Sequence, residues 1–149
     1  MSAIYNFYKV SDKLACAGQP GEGQLASIKD DGYKVVINLG LTDGKYALKD
    51  EAASVKELGM AYHHIPVLFD SPQITELASF IGLMKRHSDE KIFVHCAANY
   101  RASVFTGLYL FAANKLDEES LQEFIENVWQ PNPVWQLLIE DSVDFMKKG

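Results

Sequence analysis

The nine residues His95-Cys96-Ala97-Ala98-Asn99-Tyr100-Arg101-Ala102-Ser103 bring a nucleophile, a permanent cation and a hydroxyl into one short stretch. An apolar run, Ile92-Phe93-Val94, leads into them, and a long apolar segment follows. Such a stretch reads as a buried strand, a tight loop and the first turn of a helix. A loop of that kind turns successive backbone N–H groups inward over the positive end of a helix, which makes an anion-binding nest. The same field favours the thiolate of Cys96, the form that attacks electrophiles. Arg101 adds a planar fork suited to two oxyanion oxygens. Asn99 suits the loop because Asn tolerates left-handed backbone better than most residues. Ser103 could hydrogen-bond the sulfur or help expel it as a leaving group. The chemistry expected is therefore attack by Cys96 on an oxyanion-bearing substrate held by Arg101 and the backbone of Ala97, Ala98, Asn99 and Tyr100.

The elements that must position this loop follow from hydrophobic period and turn residues. Residues 14–17 read as a strand ending in the Gly18-Gln19-Pro20-Gly21 turn, and Leu25 and Ile28 mark a helix capped by Gly32. Residues 33–39 are β-branched and apolar, as a strand buried on both faces should be. Leu48, Ala52, Val55 and Leu58 predict a helix, and residues 60–67 a strand limited by Pro66. Ile74, Leu77, Ala78, Ile81 and Met84 recur at helical spacing before the strand at 92–95. Residues 102–113 are apolar nearly all round, which suits a helix in the middle of the fold. Asp117 caps a helix bearing Leu121, Phe124, Ile125 and Val128. Pro131 and Pro133 precede a last helix with Val134, Leu137, Leu138 and Phe145. Alternating strands and helices, then helices alone, predict one three-layer α/β domain over residues 1–149, with a mostly parallel sheet and extra C-terminal helices.

Bulk composition narrows the partners. The 149 residues carry 20 acidic and 14 Lys or Arg side chains, a net charge of −6. That balance argues against a general nucleic-acid binder, while leaving room for one local anion site. No run approaches transmembrane length, and residues 1–10 lack the basic-then-apolar pattern of a signal peptide, so a cytoplasmic location is expected. Cys16 and Cys96 lie far apart, form no metal-ligand spacing and read as free thiols; no metal or cofactor is implied. Within the strand at 60–67, His63 and His64 point to opposite faces, which disfavours a shared metal site. Cys16 is read as a core thiol, with a resolving thiol as the alternative. Trp129 and Trp135 are read as packing of the terminal helices, and Tyr100 as a flank of the substrate entrance.

The loop and much of the rest of the chain resemble the cysteine-dependent phosphatase superfamily of the dual-specificity type. More narrowly, they resemble the phosphatase-like domain of beta-lactamase-hydrolase-like proteins. The likeness runs through Val10-Ser11-Asp12-Lys13-Leu14, Gly18-Gln19-Pro20, Val35-Val36-Ile37-Asn38-Leu39, Tyr62-His63-His64-Ile65-Pro66-Val67 and His95-Cys96. It implies a phosphocysteine formed by Cys96, phosphoryl oxygens held by Arg101, and hydrolysis assisted by Ser103. It also implies a general acid on a separate loop and a ring at His95 that supports the nucleophile's loop. Asp70, after the strand at 60–67, stands where the family often carries its acid. Turn initiation is the competing reading of Asp70, as it is of Asp43 in Asp43-Gly44, the substitute acid.

The chain departs from the phosphatase signature at one point. Only Ala97 to Tyr100 lie between Cys96 and Arg101, one residue fewer than the signature carries, while Ser103 keeps its usual distance. The shorter spacing is common in rhodanese-type sulfurtransferases, whose loop cradles a persulfide. Three functions are thus expected in order: a phosphatase-like hydrolase, a sulfurtransferase working through a Cys96 persulfide, and a non-catalytic oxyanion-binding module. The corresponding partners are a phosphorylated small molecule, a phosphoprotein or a sulfur donor.

Overall fold

The computed structural model describes residues 3–148. Its centre is a five-stranded sheet in the order β1-β2-β5-β3-β4, built from β1 (Tyr8–Ser11), β2 (Leu14–Ala17), β3 (Val35–Asn38), β4 (Ala61–His64) and β5 (Ile92–His95). β1 runs antiparallel to β2, and every other pairing is parallel. β2, β3 and β5 are buried along their whole length, as their continuous apolar runs require of strands covered on both faces.

Alternation along these strands divides the core in two. Cys16, Val35, Ile37, Ile92 and Val94 face α3 (Ile74–Arg86), α4 (Tyr100–Ala112), α5 (Glu118–Glu126) and α6 (Pro133–Lys148). Ala15, Ala17, Val36 and Phe93 face α1 (Glu22–Asp30) and α2 (Glu51–Glu57). The three layers expected from the sequence are present. α4 is buried on almost every side, with α3, α5 and α6 packed around it. Asp117 caps α5 as expected, its carboxylate accepting the Ser120 N–H at 2.8 Å. Among the described residues no helix is long and apolar enough to cross a membrane.

Some boundaries differ from expectation. β1 was not expected, because Tyr8-Lys9-Val10-Ser11 has little apolar character. Its alternating half-buried and exposed residues and its bulge mark an edge strand held by its neighbour. α2 begins after Asp50, whose carboxylate accepts the Ala53 N–H at 3.2 Å, so Leu48 lies ahead of the helix and packs beside the smaller core. β4 stops at His64, yet Ile65 and Val67 still donate to Asn38 and Leu39 at 2.9 and 3.1 Å. Pro66, lacking an N–H, interrupts the ladder between them.

These details bear on function because the parallel strands all end at one edge. β5 lies between β2 and β3, so Cys96 emerges flanked by the Gly18 turn and by the chain after Asn38. Crevices at the carboxyl ends of parallel strands are where open α/β sheets hold ligands.

Candidate active site

β5 delivers Cys96 directly into a loop that turns into α4. Asn99 makes the turn with φ of 71°, a left-handed conformation that an Asn accepts more readily than other side chains. The loop is tied down from outside: Gln19 N–H donates to the Ala97 carbonyl at 3.0 Å, and Asn6 Nδ2 to the Ala98 carbonyl at 2.9 Å. Asn99 Nδ2 returns a bond to the Asn6 carbonyl at 3.0 Å. Gly18 is required where this loop passes, since a Cβ there would sit 2.8 Å from the Ala97 oxygen and 2.9 Å from the Tyr5 oxygen. The Ala97 and Ala98 carbonyls are thus both engaged from outside the loop.

The Cys96 sulfur accepts the Ala102 N–H of the first turn of α4 at 3.4 Å. Cys96 is 1% exposed. The sulfur thus faces the N-terminus of α4, whose first-turn N–H groups and dipole attract negative charge. Arg101 lies buried in the same turn, and its Nη1 donates to the Val67 carbonyl at 2.7 Å, which fixes the direction of the guanidinium. Arg101, Ala97, Gln19, Gly40, Leu41, Gly44, Tyr46 and Ala47 enclose a chamber of about 80 Å³ above the loop. A wider trough of about 530 Å³ adjoins it and shares Gln19, Tyr46 and Ala97 with it. Ser103 is fully buried, with its hydroxyl donating to the Tyr100 carbonyl at 2.9 Å.

The two acid candidates lie on flanking loops. Asp43 is exposed in the segment that contributes Leu41, Gly44, Tyr46 and Ala47 to the chamber. Asp70 is exposed at the end of the segment that begins with Val67. Neither carboxylate lines the chamber. The Asp70 segment is nonetheless pinned to the nucleophile's helix. Trp135 Nε1 donates to the Phe69 carbonyl at 2.7 Å, and Phe69 packs against Trp129, Trp135 and Tyr100. Tyr100 stacks face to face on Trp129 at 4.5 Å. The two tryptophans, read from the sequence as packing of terminal helices, thus also hold the loop after β4 to the loop after β5.

Five polar residues complete the surroundings. His95 is fully buried; its Nε2 lies 2.6 Å from Glu51 Oε2 and its Nδ1 3.2 Å from the Cys96 carbonyl oxygen. Gln19 donates to the other Glu51 oxygen at 2.8 Å. Burial works to raise the Glu51 carboxyl. The His95 hydrogen bond and charge oppose it, with help from the Gln19 hydrogen bond and charge at His64, and hold the carboxyl below its ordinary range. Asn38 Oδ1 accepts the Gly40 N–H at 2.8 Å, and His64 Nε2 donates to the Gly40 carbonyl at 2.6 Å, so the chamber's far wall is fixed at Gly40. His63 turns elsewhere, to His87 at 2.9 Å. Among the described residues no three His, Cys, Asp or Glu side chains converge as metal ligands. Sequence reasoning missed Glu51, Gln19 and Asn38 as parts of the site. Gln19 and Asn38 lay in stretches that carried the resemblance, Gly18-Gln19-Pro20 and Val35 to Leu39, whereas Glu51 left no signal.

Cys16 is fully buried in β2 on the same side of the sheet as Cys96. Burial pushes its thiol up to about 12; Asn99 pulls the other way and the nearby Cys96 adds to the rise. A folded-state value above the unfolded one stabilises the fold fully below about pH 8.5, and the contribution is lost as pH rises from there toward 12. Urea midpoints are therefore expected to fall between pH 8.5 and 10.5 in the native protein. In Cys16→Ala the decline is shallower, with about 1 kcal/mol lost at every pH to the cavity. Equal slopes in the two proteins would contradict this account.

A solved structure from Shewanella putrefaciens CN-32, a candidate phosphatase of the DUF442 family, superposes with a TM-score of 0.90 at 30% identity. It covers 97% of this chain and 95% of its own. The chain belongs to the DUF442 family. More distant likenesses place this DUF442 domain in the cysteine-phosphatase fold. Pseudomonas aeruginosa TpbA matches with a TM-score of 0.79 at 16% identity over 99% of this chain and 91% of its own. TpbA has also been solved in complex with phosphotyrosine. Among curated proteins, a beta-lactamase hydrolase-like protein of Xylella fastidiosa is 26% identical over 102 residues, 66% of this chain and 23% of that protein. The DUF442 chain thus spans about a quarter of the length of those relatives. No family model matches the sequence.

Proposed function

We propose that this DUF442 domain is a cysteine-dependent phosphatase-type hydrolase that works through a phosphocysteine on Cys96. The observation that carries the reading is the helix N–H on the Cys96 sulfur together with a chamber of about 80 Å³ lined by the next residue, Ala97, and by the buried Arg101. A phosphoryl group enters the chamber, and Arg101 with the loop N–H groups of Ala97, Ala98, Asn99 and Tyr100 binds its oxygens. Cys96 Sγ forms the S–P bond as the ester P–O bond breaks. Asp70, on the loop pinned by Trp135, gives the leaving alcohol its proton; Asp43 is the substitute. Water then attacks phosphorus, the P–S bond breaks with its electron pair returning to Cys96, and the carboxylate recovers a proton from the water. Ser103 assists this second step. TpbA's phosphotyrosine complex supports a phosphate monoester as substrate class, in a phosphoprotein or a small molecule.

Two observations favour a second reading, sulfur transfer. The Cys96-to-Arg101 ring is one residue shorter than the phosphatase signature, and no carboxylate lines the chamber. With thiosulfate, Cys96 Sγ would attack the outer sulfur. The S–S bond breaks, sulfite leaves with the electron pair, and a Cys96 persulfide remains for an acceptor thiol. Sulfite is a stable anion, so this route needs no general acid.

The reduced protein is to be assayed against a panel of phosphate monoesters and, separately, treated with thiosulfate before intact-mass measurement. The phosphatase reading expects vanadate-sensitive phosphate release that Cys96→Ser lacks. A one-sulfur adduct absent from Cys96→Ser, with no phosphate release, replaces it with the second reading. Oxyanion binding without either reaction leaves only a binding module.

A further inference from the structure

Glu51 is a carboxylate 6% exposed, on a helix whose other contacts are structural, and its partner His95 is fully buried. Two charged groups taken out of water are costly unless each is paired and hydrogen-bonded. Here both Glu51 oxygens are engaged, by His95 Nε2 at 2.6 Å and Gln19 Nε2 at 2.8 Å. The other ring nitrogen of His95 faces the Cys96 carbonyl at 3.2 Å, and a carbonyl oxygen only accepts. Both ring nitrogens thus meet acceptors, an arrangement satisfied in full by the doubly protonated imidazolium.

We propose that Glu51 is a positioning residue of the active site: its buried carboxylate keeps His95 in the imidazolium form, which clamps the Cys96 carbonyl and sets a positive charge beside the nucleophile. The inference rests on the reading of Cys96 as the reacting thiolate. It gives a reason for burying a charged pair where an apolar pair would pack at less cost. Gln19 ties the pair to the substrate side, since it also lines the chamber and its N–H holds the Ala97 carbonyl. The other titratable or charged groups near the pair are His64 and Tyr62 on β4, Asp50 at the start of α2, and Cys96, whose carbonyl His95 meets. His64 is committed to the Gly40 carbonyl, and burial holds the Tyr62 hydroxyl protonated, pushed up to about 12.

The test uses the full chain. Nitrogen-15 NMR of the histidine rings reads the charge of His95 at pH 7.5, and iodoacetamide, a neutral reagent, reads the Cys96 thiolate between pH 5 and 9. In the native protein both His95 nitrogens should carry the imidazolium signature. In Glu51→Gln, which keeps a hydrogen-bonding side chain without the charge, His95 should become neutral. The Cys96 alkylation rate at pH 6 should fall about tenfold, with the whole profile moved to higher pH. Glu51→Asp should recover part of the rate. A neutral His95 in the native protein, or an unchanged alkylation profile in Glu51→Gln, would overturn the proposal. Should Glu51→Gln fail to fold, the native spectrum alone decides. A native Cys96 that alkylates like a free thiol would instead count against the enzyme reading, while the His95 spectrum still reports on the pair.

Discussion

Cys96→Ser is expected to abolish turnover, with a loss of about 10⁴-fold or more in kcat. The substitution keeps the shape of the side chain and its acceptor for the Ala102 N–H, now 3.4 Å from the sulfur. The hydroxyl differs in the property that matters: a helix N-terminus turns a thiol into a thiolate near neutrality and leaves an alcohol protonated. Because the side chain is 1% exposed and nearly isosteric, thermal stability should stay within a few degrees of the native protein, and oxyanion binding should persist. Melting curves with and without phosphate, run beside turnover assays, check both halves. Retained turnover in Cys96→Ser would remove the nucleophile from the account.

Arg101 carries the second large expectation, and two substitutions separate its roles. The guanidinium donates one N–H to the Val67 carbonyl, and the side chain lines the chamber. Arg101→Lys keeps a charge, but an ammonium cannot hold Val67 and two oxyanion oxygens in one plane. A loss of about 10²- to 10³-fold in kcat/KM is expected, comparable to removing a preorganised oxyanion donor. Arg101→Ala should lose at least as much activity and also about 1–3 kcal/mol of stability, because the Val67 carbonyl is left buried without its donor. Releasing Val67 also loosens the loop bearing Phe69 and Asp70, so kcat should suffer along with KM. Steady-state kinetics and urea titrations of the two variants check this. If Arg101→Lys retains full activity, the forked clamp is wrong.

The strand, loop and helix around Cys96 were legible because each rests on local patterning. Ile92-Phe93-Val94 reads as a buried strand, and residues 102–113 as a buried helix. Asn99 stands where the chain must turn left-handed, at φ 71°. The sequence does not show where the helix begins: α4 starts at Tyr100, two residues before its apolar run, since a first turn facing a loop needs no apolar residue. Glu51 illustrates the other limit. In the sequence it is one acidic residue in the first turn of a helix, a common surface feature. Its partner His95 lies 44 residues away, and only the fold, which sets the start of α2 beside the end of β5, brings them together. The tryptophans fall between these cases. Aromatic residues around Pro131 and Pro133 announce packing, but the Trp135 bond to the Phe69 carbonyl spans 66 residues and leaves no local trace. β1 escaped for a related reason, since an edge strand takes its order from β2 more than from its own residues.

The proposed chemistry stands on Cys96 being a reactive thiolate at the base of an oxyanion site. The most direct test is the rate of Cys96 alkylation as a function of pH, alone and with phosphate, vanadate, sulfate or thiosulfate. Fast alkylation is expected well below pH 8.5, where a free thiol is mostly protonated. At least one of these oxyanions should protect strongly, and the protection should be lost in Arg101→Ala. Alkylation that follows an ordinary thiol, with no protection by any of the four, would contradict that chemistry and leave the loop after β5 without a chemical role.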